Sequence, residues 1–191
     1  MEITPDYKLI LAENQQLESE RLLLRPLRLS DAVDMFEYAS DEENATYVFP
    51  THRALSDTRG IIANYFIADP LGKYAIELKK TGKMVGTIDL RLDIPNRNAE
   101  LGYVINKEFW GQGIVPEACN LLLAFGFEKL RMQHIFAKYD EDNVRSGRVM
   151  DKIGMKEEGR FPKSRIAKGK IITDIIKGMT IEDWHNRKRE V

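Results

Sequence analysis

The segment FWGQGIVPEA, at residues 109–118, constrains the fold most, because two closely spaced glycines separate a predicted strand from a predicted helix. The strand before it, AELGYVIN at 99–106, contains residues that favour strands. The helix after it, at 115–130, carries apolar residues on one broad face, as a helix packed against a core does. A chain with this junction is expected to fold as an α/β protein.

Further apolar and amphipathic segments extend this alternation along the chain. KYAIELKK and MVGTIDLRL are separated by TGK, which is typical of a β-hairpin, and AELGYVIN continues them as a third strand. The order of predicted elements is βα, α, βββ, α, β, α, ββ, which does not fit a purely doubly wound sheet. The sequence predicts a mixed, mostly antiparallel sheet of six to seven strands, flanked by about four helices. The other predicted segments are RLLLRPL, DAVDMFEYAS, DTRGIIANYFIAD, HIFAKYD, NVRSGRVMDKIG, MKEEGRF and KIITDIIKGMTI.

Capping residues and glycines predict where the helices begin and end. Ser30 is expected to cap the first helix, whose inner face is expected to contain Val33, Phe36, Ala32 and Ala39. A second helix is expected after Ser56, and the late helix NVRSGRVMDKIG is expected to stop at Gly154. The inner face of the second helix is expected to contain Ile61, Ile62, Tyr65 and Phe66.

Length and segment composition predict one domain. A chain of 191 residues with 43% hydrophobic content is long enough to bury one core. The sequence contains no repeat and no linker rich in Pro, Gly or Ser. We expect an N-terminal extension at 1–18, a single domain at 19–186 and a charged tail at 187–191.

Charge and cysteine usage exclude several classes of partner. With 29 basic and 30 acidic side chains, the formal net charge of −1 gives no global attraction to nucleic acid or to an anionic membrane. No segment reaches the ~18 uninterrupted apolar residues of a membrane span, and a cytoplasmic location is expected. Cys119 is the only cysteine and is expected to be a buried apolar residue rather than a reactive thiol.

Two further questions concern metals and oligomers. His52, His134 and His185 lack the spacing of metal ligands, so no metal is expected. The apolar helix faces would also suit a homodimer, which the sequence does not distinguish from core packing.

The glycine turn has the composition of an anion site. N–H groups at the start of a helix point outward with partial positive charge, and glycines let a phosphate approach the backbone. A tight strand-to-helix connection with no ligand is the simpler interpretation. A triphosphate loop would need Lys and Ser or Thr after Gly113, where Ile114 and Val115 stand. A dinucleotide fingerprint would need a third glycine near Glu117.

Larger motifs around this turn resemble one family. AELGYVINKEFWGQGIVPEA is similar to the acetyl-CoA-binding core of the GCN5-related N-acetyltransferases (GNAT), especially the branch of the ribosomal-protein N-terminal acetyltransferases. SERLLLRPLRLSDA, TGKMVGTIDL and NVRSGRVMDKIGMKEEGR resemble other segments of that branch, so the similarity runs from about Glu20 to Trp184. Val115 stands where the family usually has Gly or Ala. Trp110, common in the branch, stands where many other relatives have Arg or Gln.

The resemblance implies a GNAT-like fold and acetyl-CoA as co-substrate. It implies that the strand from Leu101 to Ile105 is splayed from its neighbour and pairs with the pantetheine amides. It also implies that the backbone amides from Gln112 to Glu117 hold the pyrophosphate. Asn143 is either a helix cap alone or a cap that also binds the cofactor. The residues expected to bind the cofactor are Tyr103, Val104, Ile105, Gly111, Gln112, Gly113, Ile114, Val115, Asn143 and Arg145.

The resemblance also suggests catalytic residues. Glu100 is the candidate base, directly or through water, and its alternative is a carboxylate that faces solvent. Ser146 is the candidate proton donor to the CoA thiolate, and its alternative is an exposed hydroxyl in the first turn of a helix. Tyr139 is a weaker candidate for the same role. The branch shapes its acceptor pocket with a loop that corresponds here to Tyr47, Phe49, His52 and Arg53.

These expectations define an acyltransferase that moves an acetyl group from acetyl-CoA to a primary amine by direct attack. A protein N-terminus is the first choice of acceptor, and a polyamine, amino acid or antibiotic amine is the second. One alternative is a catalytically idle acyl-CoA-binding or interaction module of the same fold. Another is a structural α/β domain whose glycine turn binds no phosphate.

Overall fold

The computed structural model describes residues 5–189, which contain eight strands and seven α-helices. The strands are β1 (Leu17–Glu18), β2 (Leu22–Arg25), β3 (Lys73–Leu78), β4 (Met84–Asp93), β5 (Asn98–Ile105), β6 (His134–Asp140), β7 (Lys156–Ala167) and β8 (Lys170–Thr180). The helices are α1 (Tyr7–Glu13), α2 (Ala32–Ala39), α3 (Glu42–Ala45), α4 (Leu55–Ile61), α5 (Ile114–Ala124), α6 (Val144–Lys152) and α7 (Ile181–Arg189). Two π-helical turns, Ile62–Ile67 and Phe125–Lys129, continue α4 and α5.

The strands form one sheet in the order β1-β2-β3-β4-β5-β6-β8-β7. Pairings β1–β2, β2–β3, β3–β4, β6–β8 and β7–β8 are antiparallel, and β5–β6 is parallel. The predicted α/β class and mostly antiparallel sheet are therefore confirmed. The extra strand is the two-residue β1, and the extra helices include α1 and the four-residue α3.

The described chain divides into two compact units. The first contains the described residues up to Asp89 together with Tyr103–Leu121, and the second contains Leu90–Gly102 and the described residues from Leu122 onward. Strands β4 and β5 each contribute to both units.

The first unit is organised around α2 and its neighbours. Its main core cluster contains Leu27, Ala32, Met35, Tyr38, Ala39, Ile62, Phe66, Ala75, Met84 and Val104. The predicted inner face of α2 is wrong: Val33 is exposed and Phe36 is only partly buried, whereas Met35 and Tyr38 face the core. The buried face of α2 is rotated from the predicted one, but both faces contain Ala32 and Ala39, which are buried.

Aspartates rather than serines organise the starts of two helices in this unit. Before α2, the Asp31 carboxylate accepts the Arg28 N–H at 2.7 Å, so Ser30 is not the cap that we expected. Before α4, Asp57 accepts the N–H groups of Arg53 and Ala54 at 2.9 and 3.0 Å. The helix begins at Leu55, one residue before the predicted Ser56 cap.

The second unit contains the β6–β8–β7 hairpin arrangement and α6. Asn143 caps α6 by accepting the Ser146 N–H at 3.3 Å, as predicted. The helix ends before Gly154, whose φ of 83° is readily adopted by glycine. Phe127 stacks on Trp184 of α7 with ring centroids 5.7 Å apart, which fixes the last helix to the π-helical turn.

The predicted domain boundaries stay predictions, but the structure adds detail at both ends. Within the 1–18 extension, α1 buries Tyr7 and Leu11. Within the 187–191 tail, the first three residues continue α7, and Arg187 donates to the Ile153 carbonyl at 2.8 Å. The parts of these two segments at 1–4 and 190–191 lie outside the described residues. None of the described helices is both long and apolar enough for a bilayer span.

Candidate active site

The end of β5 is held by two buried asparagines in the first unit. Asn44 of α3 donates to the Ile105 carbonyl at 3.0 Å and accepts the Lys107 N–H at 2.7 Å. Asn106 donates its backbone N–H to the Val85 carbonyl at 2.8 Å. The chain therefore leaves the strand in a fixed direction just before the glycine turn.

The glycine turn has the geometry that its sequence predicts. The φ angles of Gly111 and Gly113 are 77° and 74°, in the left-handed region that favours glycine. A Cβ built at Gly111 meets no heavy atom within 4 Å, so backbone conformation rather than crowding requires the glycine. Helix α5 begins directly after Gly113, and its first bond runs from the Glu117 N–H to the Gly113 carbonyl at 3.2 Å.

The first turn of α5 leaves few backbone donors for a ligand. The Glu117 N–H, which we included among the pyrophosphate donors, is already bonded within the helix. Pro116 has no N–H, so helix geometry leaves the N–H groups of Ile114 and Val115 before the first intrahelical bond. The Val115 side chain is buried, so it does not narrow the outer side of the turn.

Arg21 lies at this turn, although sequence reasoning did not include it. Its Nη1 donates to the Gln112 carbonyl at 3.2 Å, and its Nε and Nη2 donate to the Glu117 carboxylate at 2.7 and 2.5 Å. Ser19 donates to the other Glu117 oxygen at 2.6 Å. Burial alone would raise the pKa of Glu117, but the hydrogen bonds from Ser19 and Arg21 lower it below its ordinary value.

Strand β5 reaches the turn in close contact with β4. A Cβ at Gly86 would lie 2.3 Å from the Val104 oxygen, so only glycine permits this backbone approach. Tyr103, Val104 and Ile105, predicted to contact the cofactor, are partly or fully buried. The Ile105 carbonyl already accepts one hydrogen bond, from Asn44.

In the second unit, the parallel pairing of β5 with β6 joins Asn98–Glu100 to His134–Phe136, and β5 continues to Ile105. Glu100 lies at the last of these pairs. Its Oε1 is 3.3 Å from Arg91 Nη2 and 3.5 Å from Lys138 Nζ. The candidate base is therefore an ion-paired carboxylate rather than one that simply faces solvent.

Helix α6 carries the other predicted residues of the second unit. Ser146 is partly buried in the first turn, where its N–H is capped by Asn143, and Arg145 beside it is exposed. A Cβ at Gly147 would lie 2.9 Å from Tyr139 ring atoms, so this glycine lets the Tyr139 ring lie directly against the helix. Asn143 is thus confirmed as a cap, while a role in ligand binding stays a prediction.

The loop before α4 is an aromatic and histidine-containing segment of the first unit. Phe49 packs against His52 with ring centroids 5.5 Å apart, and His52 Nδ1 is 2.8 Å from the Thr58 hydroxyl. Burial lowers the pKa of His52 below its ordinary value, which favours the neutral imidazole at neutral pH. Tyr47 and Arg53 lie in the same loop, with Tyr47 exposed.

Two other predictions concern Cys119 and metals. Cys119 is fully buried, and this burial raises the pKa of its thiol, so the expected apolar role is confirmed. Within residues 5–189 there is no group of three or more His, Cys, Asp or Glu side chains arranged to hold a metal ion.

A left-handed glycine turn that leads directly into a helix N-terminus, shortly after the end of a strand, is the backbone arrangement that the motifs predict. The family model of the acetyltransferase (GNAT) domain matches residues 21–156, which is most of the chain. The chain therefore belongs to the GNAT family and is an acetyl-CoA-dependent N-acetyltransferase.

Known relatives agree with this assignment. The chain is 29% identical over 163 residues to N-acetyltransferase p20 of Bacillus licheniformis, covering 83% of this chain and 92% of that protein. It is 26% identical over 84 residues to the ribosomal protein uS5 alanine N-acetyltransferase of Escherichia coli, covering 44% and 43% of the two chains. The crystal structure of a GNAT-family acetyltransferase from Bacillus anthracis superimposes with a TM-score of 0.80 at 26% identity, covering 87% of this chain and 99% of that one.

Proposed function

We propose that this enzyme acetylates the N-terminal amine of a protein, by direct attack of the amine on acetyl-CoA. The similarity to the ribosomal protein uS5 alanine N-acetyltransferase of Escherichia coli supports a protein acceptor. Small amines such as polyamines, amino acids or antibiotic amines are the second choice. A cytoplasmic location and a homodimer stay predictions.

The observation that supports the cofactor site most strongly is the glycine turn. Gly111 and Gly113 both have positive φ, and the N–H groups of Ile114 and Val115 precede the first intrahelical bond of the helix that follows, in a turn that Arg21 contacts. A diphosphate fits such a turn because its oxygens accept backbone N–H bonds and its charge is favoured by the helix dipole. Gln112, Ile114 and Val115 complete the proposed diphosphate turn, and Tyr103 to Ile105 the pantetheine strand.

The reaction needs one proton acceptor and one proton donor. Glu100 takes a proton from the ammonium, directly or through water, and the amine nitrogen then attacks the acetyl carbonyl carbon. A main-chain N–H of β5 stabilises the tetrahedral oxyanion. The C–S bond breaks as the carbonyl re-forms, and Ser146 donates a hydrogen bond or proton to the departing thiolate. The amide nitrogen loses its second proton to water, which also restores the Ser146 hydroxyl if that hydroxyl has given up its proton. Asn143 and Arg145 contribute to cofactor binding in this proposal.

A catalytically idle acyl-CoA-binding module is the second candidate, and one observation favours it. Glu100 is engaged by Arg91 and Lys138, so it accepts a proton only if these cations move or a water intervenes. An idle module binds acetyl-CoA but does not release CoA when an amine is added.

Thiol release in the presence of amines tests the proposed function. Purified enzyme with saturating acetyl-CoA is given peptides that begin with Ala or Ser, the same peptides with acetylated N-termini, and a polyamine. We expect thiol release only with the peptides that have free N-termini. The Glu100→Gln enzyme should release thiol at least about tenfold more slowly than the wild type. Binding of acetyl-CoA without thiol release from any amine would support the idle module instead.

A further inference from the structure

We propose that Arg21 is a cofactor-binding residue that recognises the diphosphate group of acetyl-CoA, and that Glu117 is the positioning residue that aims it. The inference rests on the proposed cofactor site and adds to it the side chain of the residue just before β2. Its contacts, its charge balance and its remaining donors each support this role.

The Arg21 side chain links the glycine turn to the first turn of α5. One guanidinium binds the Gln112 carbonyl, within the glycine turn, and the Glu117 carboxylate, in the first turn of α5. The arginine itself is anchored, because Lys79 donates its N–H to the Arg21 carbonyl at 3.0 Å. The guanidinium therefore has a defined place beside Gly113, and a Cβ at Gly113 would lie 3.8 Å from Arg21 Nη2.

The charge of Glu117 makes this arginine necessary for an anion site. A carboxylate in the first turn of a helix stabilises the helix, but it also repels a phosphate that approaches the same N-terminus. The lowered pKa of Glu117 keeps it ionised at neutral pH. Two N–H groups of Arg21 donate to Glu117 Oε2 and balance this negative charge, so the partial positive charge of the helix terminus stays available to a ligand.

The guanidinium also keeps donors for a ligand. Within the described part of the chain, its three hydrogen bonds use three of the five N–H groups of an arginine. Its side chain is 50% exposed, so the open face is accessible to solvent and to a phosphate. Arginine is well suited to this contact because its planar donors match two phosphate oxygens at once.

Calorimetric titration of the wild type and Arg21→Ala with acetyl-CoA and with acetyl-pantetheine, which lacks the diphosphate, tests the proposal. Arg21→Ala is expected to weaken acetyl-CoA binding by about 10- to 100-fold, as expected for loss of a charge-assisted contact, and to leave acetyl-pantetheine binding unchanged. Arg21→Lys is expected to be intermediate. In the steady state, KM for acetyl-CoA should rise while kcat changes little.

Arg160→Ala is the matched control, because Arg160 has the same side-chain exposure and a similar contact with Glu141 at 2.6 Å in the second unit. It should bind both ligands like the wild type. Equal losses for both ligands would mean that Arg21 is only a structural clamp and would overturn the proposal, as would wild-type affinity in Arg21→Ala. If Arg21→Ala does not fold, the affinities for acetyl-CoA and for acetyl-pantetheine are compared in Arg21→Gln instead. Failure of the wild type to bind acetyl-CoA would instead contradict the cofactor site itself.

Discussion

Arg25 is the buried charge on which the first unit depends most. Its guanidinium binds both Asp31 oxygens at 2.8 Å and Glu77 at 2.5 Å, and only 3% of the residue is exposed. These carboxylates raise the pKa of Arg25, so it stays charged. Arg25→Ala should leave two poorly solvated carboxylates without their cation and cost about 3–5 kcal/mol of unfolding free energy in urea titrations.

The control for this prediction is again Arg160→Ala, whose exposed ion pair should be worth less than about 1 kcal/mol. A loss of less than about 1 kcal/mol in Arg25→Ala would show that Asp31 and Glu77 find other partners or water, and would contradict the expected role.

Single residues differ in how far their sequence positions revealed their roles. Gly111 and Gly113 were predictable, because glycine spacing before a helix restricts backbone geometry locally. Arg21 was not, because Glu117 lies 96 residues away and only tertiary structure brings the two together. An arginine before the strand and a glutamate in the first turn of α5 were visible, but nothing in the sequence linked them.

Helix α7 begins with a cap whose contribution to stability depends on pH. Thr180 and Asp183 cap it reciprocally: the Asp183 N–H donates to the Thr180 hydroxyl at 3.1 Å, and that hydroxyl donates to the Asp183 carboxylate at 2.8 Å. The hydrogen bond from Lys156, with those from Thr180, lowers the pKa of Asp183 to about 2.

A depressed carboxylate pKa stabilises the folded state above the unfolded value of about 3.9 and stops doing so as the pH falls toward 2. Asp183→Asn should therefore cost about 1 kcal/mol at pH 7, and this difference from the wild type should shrink between pH 4 and pH 2. Glu182→Gln, in the same helical turn, is the control and should have a smaller effect. A difference for Asp183→Asn that stays constant from pH 7 to pH 2 would contradict the capping role of its charge.

Helix starts show why local patterns succeed at one element and fail at another. Asn143 was correctly predicted as a cap because its side chain satisfies its own helix, three residues on. Ser30 was wrong because the next residue, Asp31, is a stronger acceptor that Arg25 also holds in place. The same arginine also binds Glu77, 52 residues away, and a contact of that range cannot be predicted from local sequence alone.

At the scale of the whole molecule, the succession of strands and helices along the chain followed from hydrophobic patterning and from the resemblance over most of the chain. The meander, the late helix and the last two strands were predicted, whereas the position of β8 between β6 and β7 in the sheet was not. The short elements α1, α3 and β1 were not, because segments of two to seven residues form through packing rather than through propensity. The acceptor could not be predicted from the sequence, because it depends on loops whose conformation is not specified by a local sequence pattern.

The most direct test of the account is an acetyl-CoA titration of three proteins by calorimetry: the wild type, Gly113→Glu and Gly82→Glu. Gly82 lies in the β3–β4 turn with a φ of 69° and nothing within 4 Å of a Cβ, so its variant has the same charge and similar backbone strain as Gly113→Glu. We predict that the wild type and Gly82→Glu bind acetyl-CoA with similar affinity. The Gly113→Glu variant, shown to be folded by circular dichroism, should bind acetyl-CoA at least about tenfold more weakly. No binding by the wild type at millimolar acetyl-CoA, or equal binding by Gly113→Glu, would contradict the assignment of the glycine turn as the cofactor site.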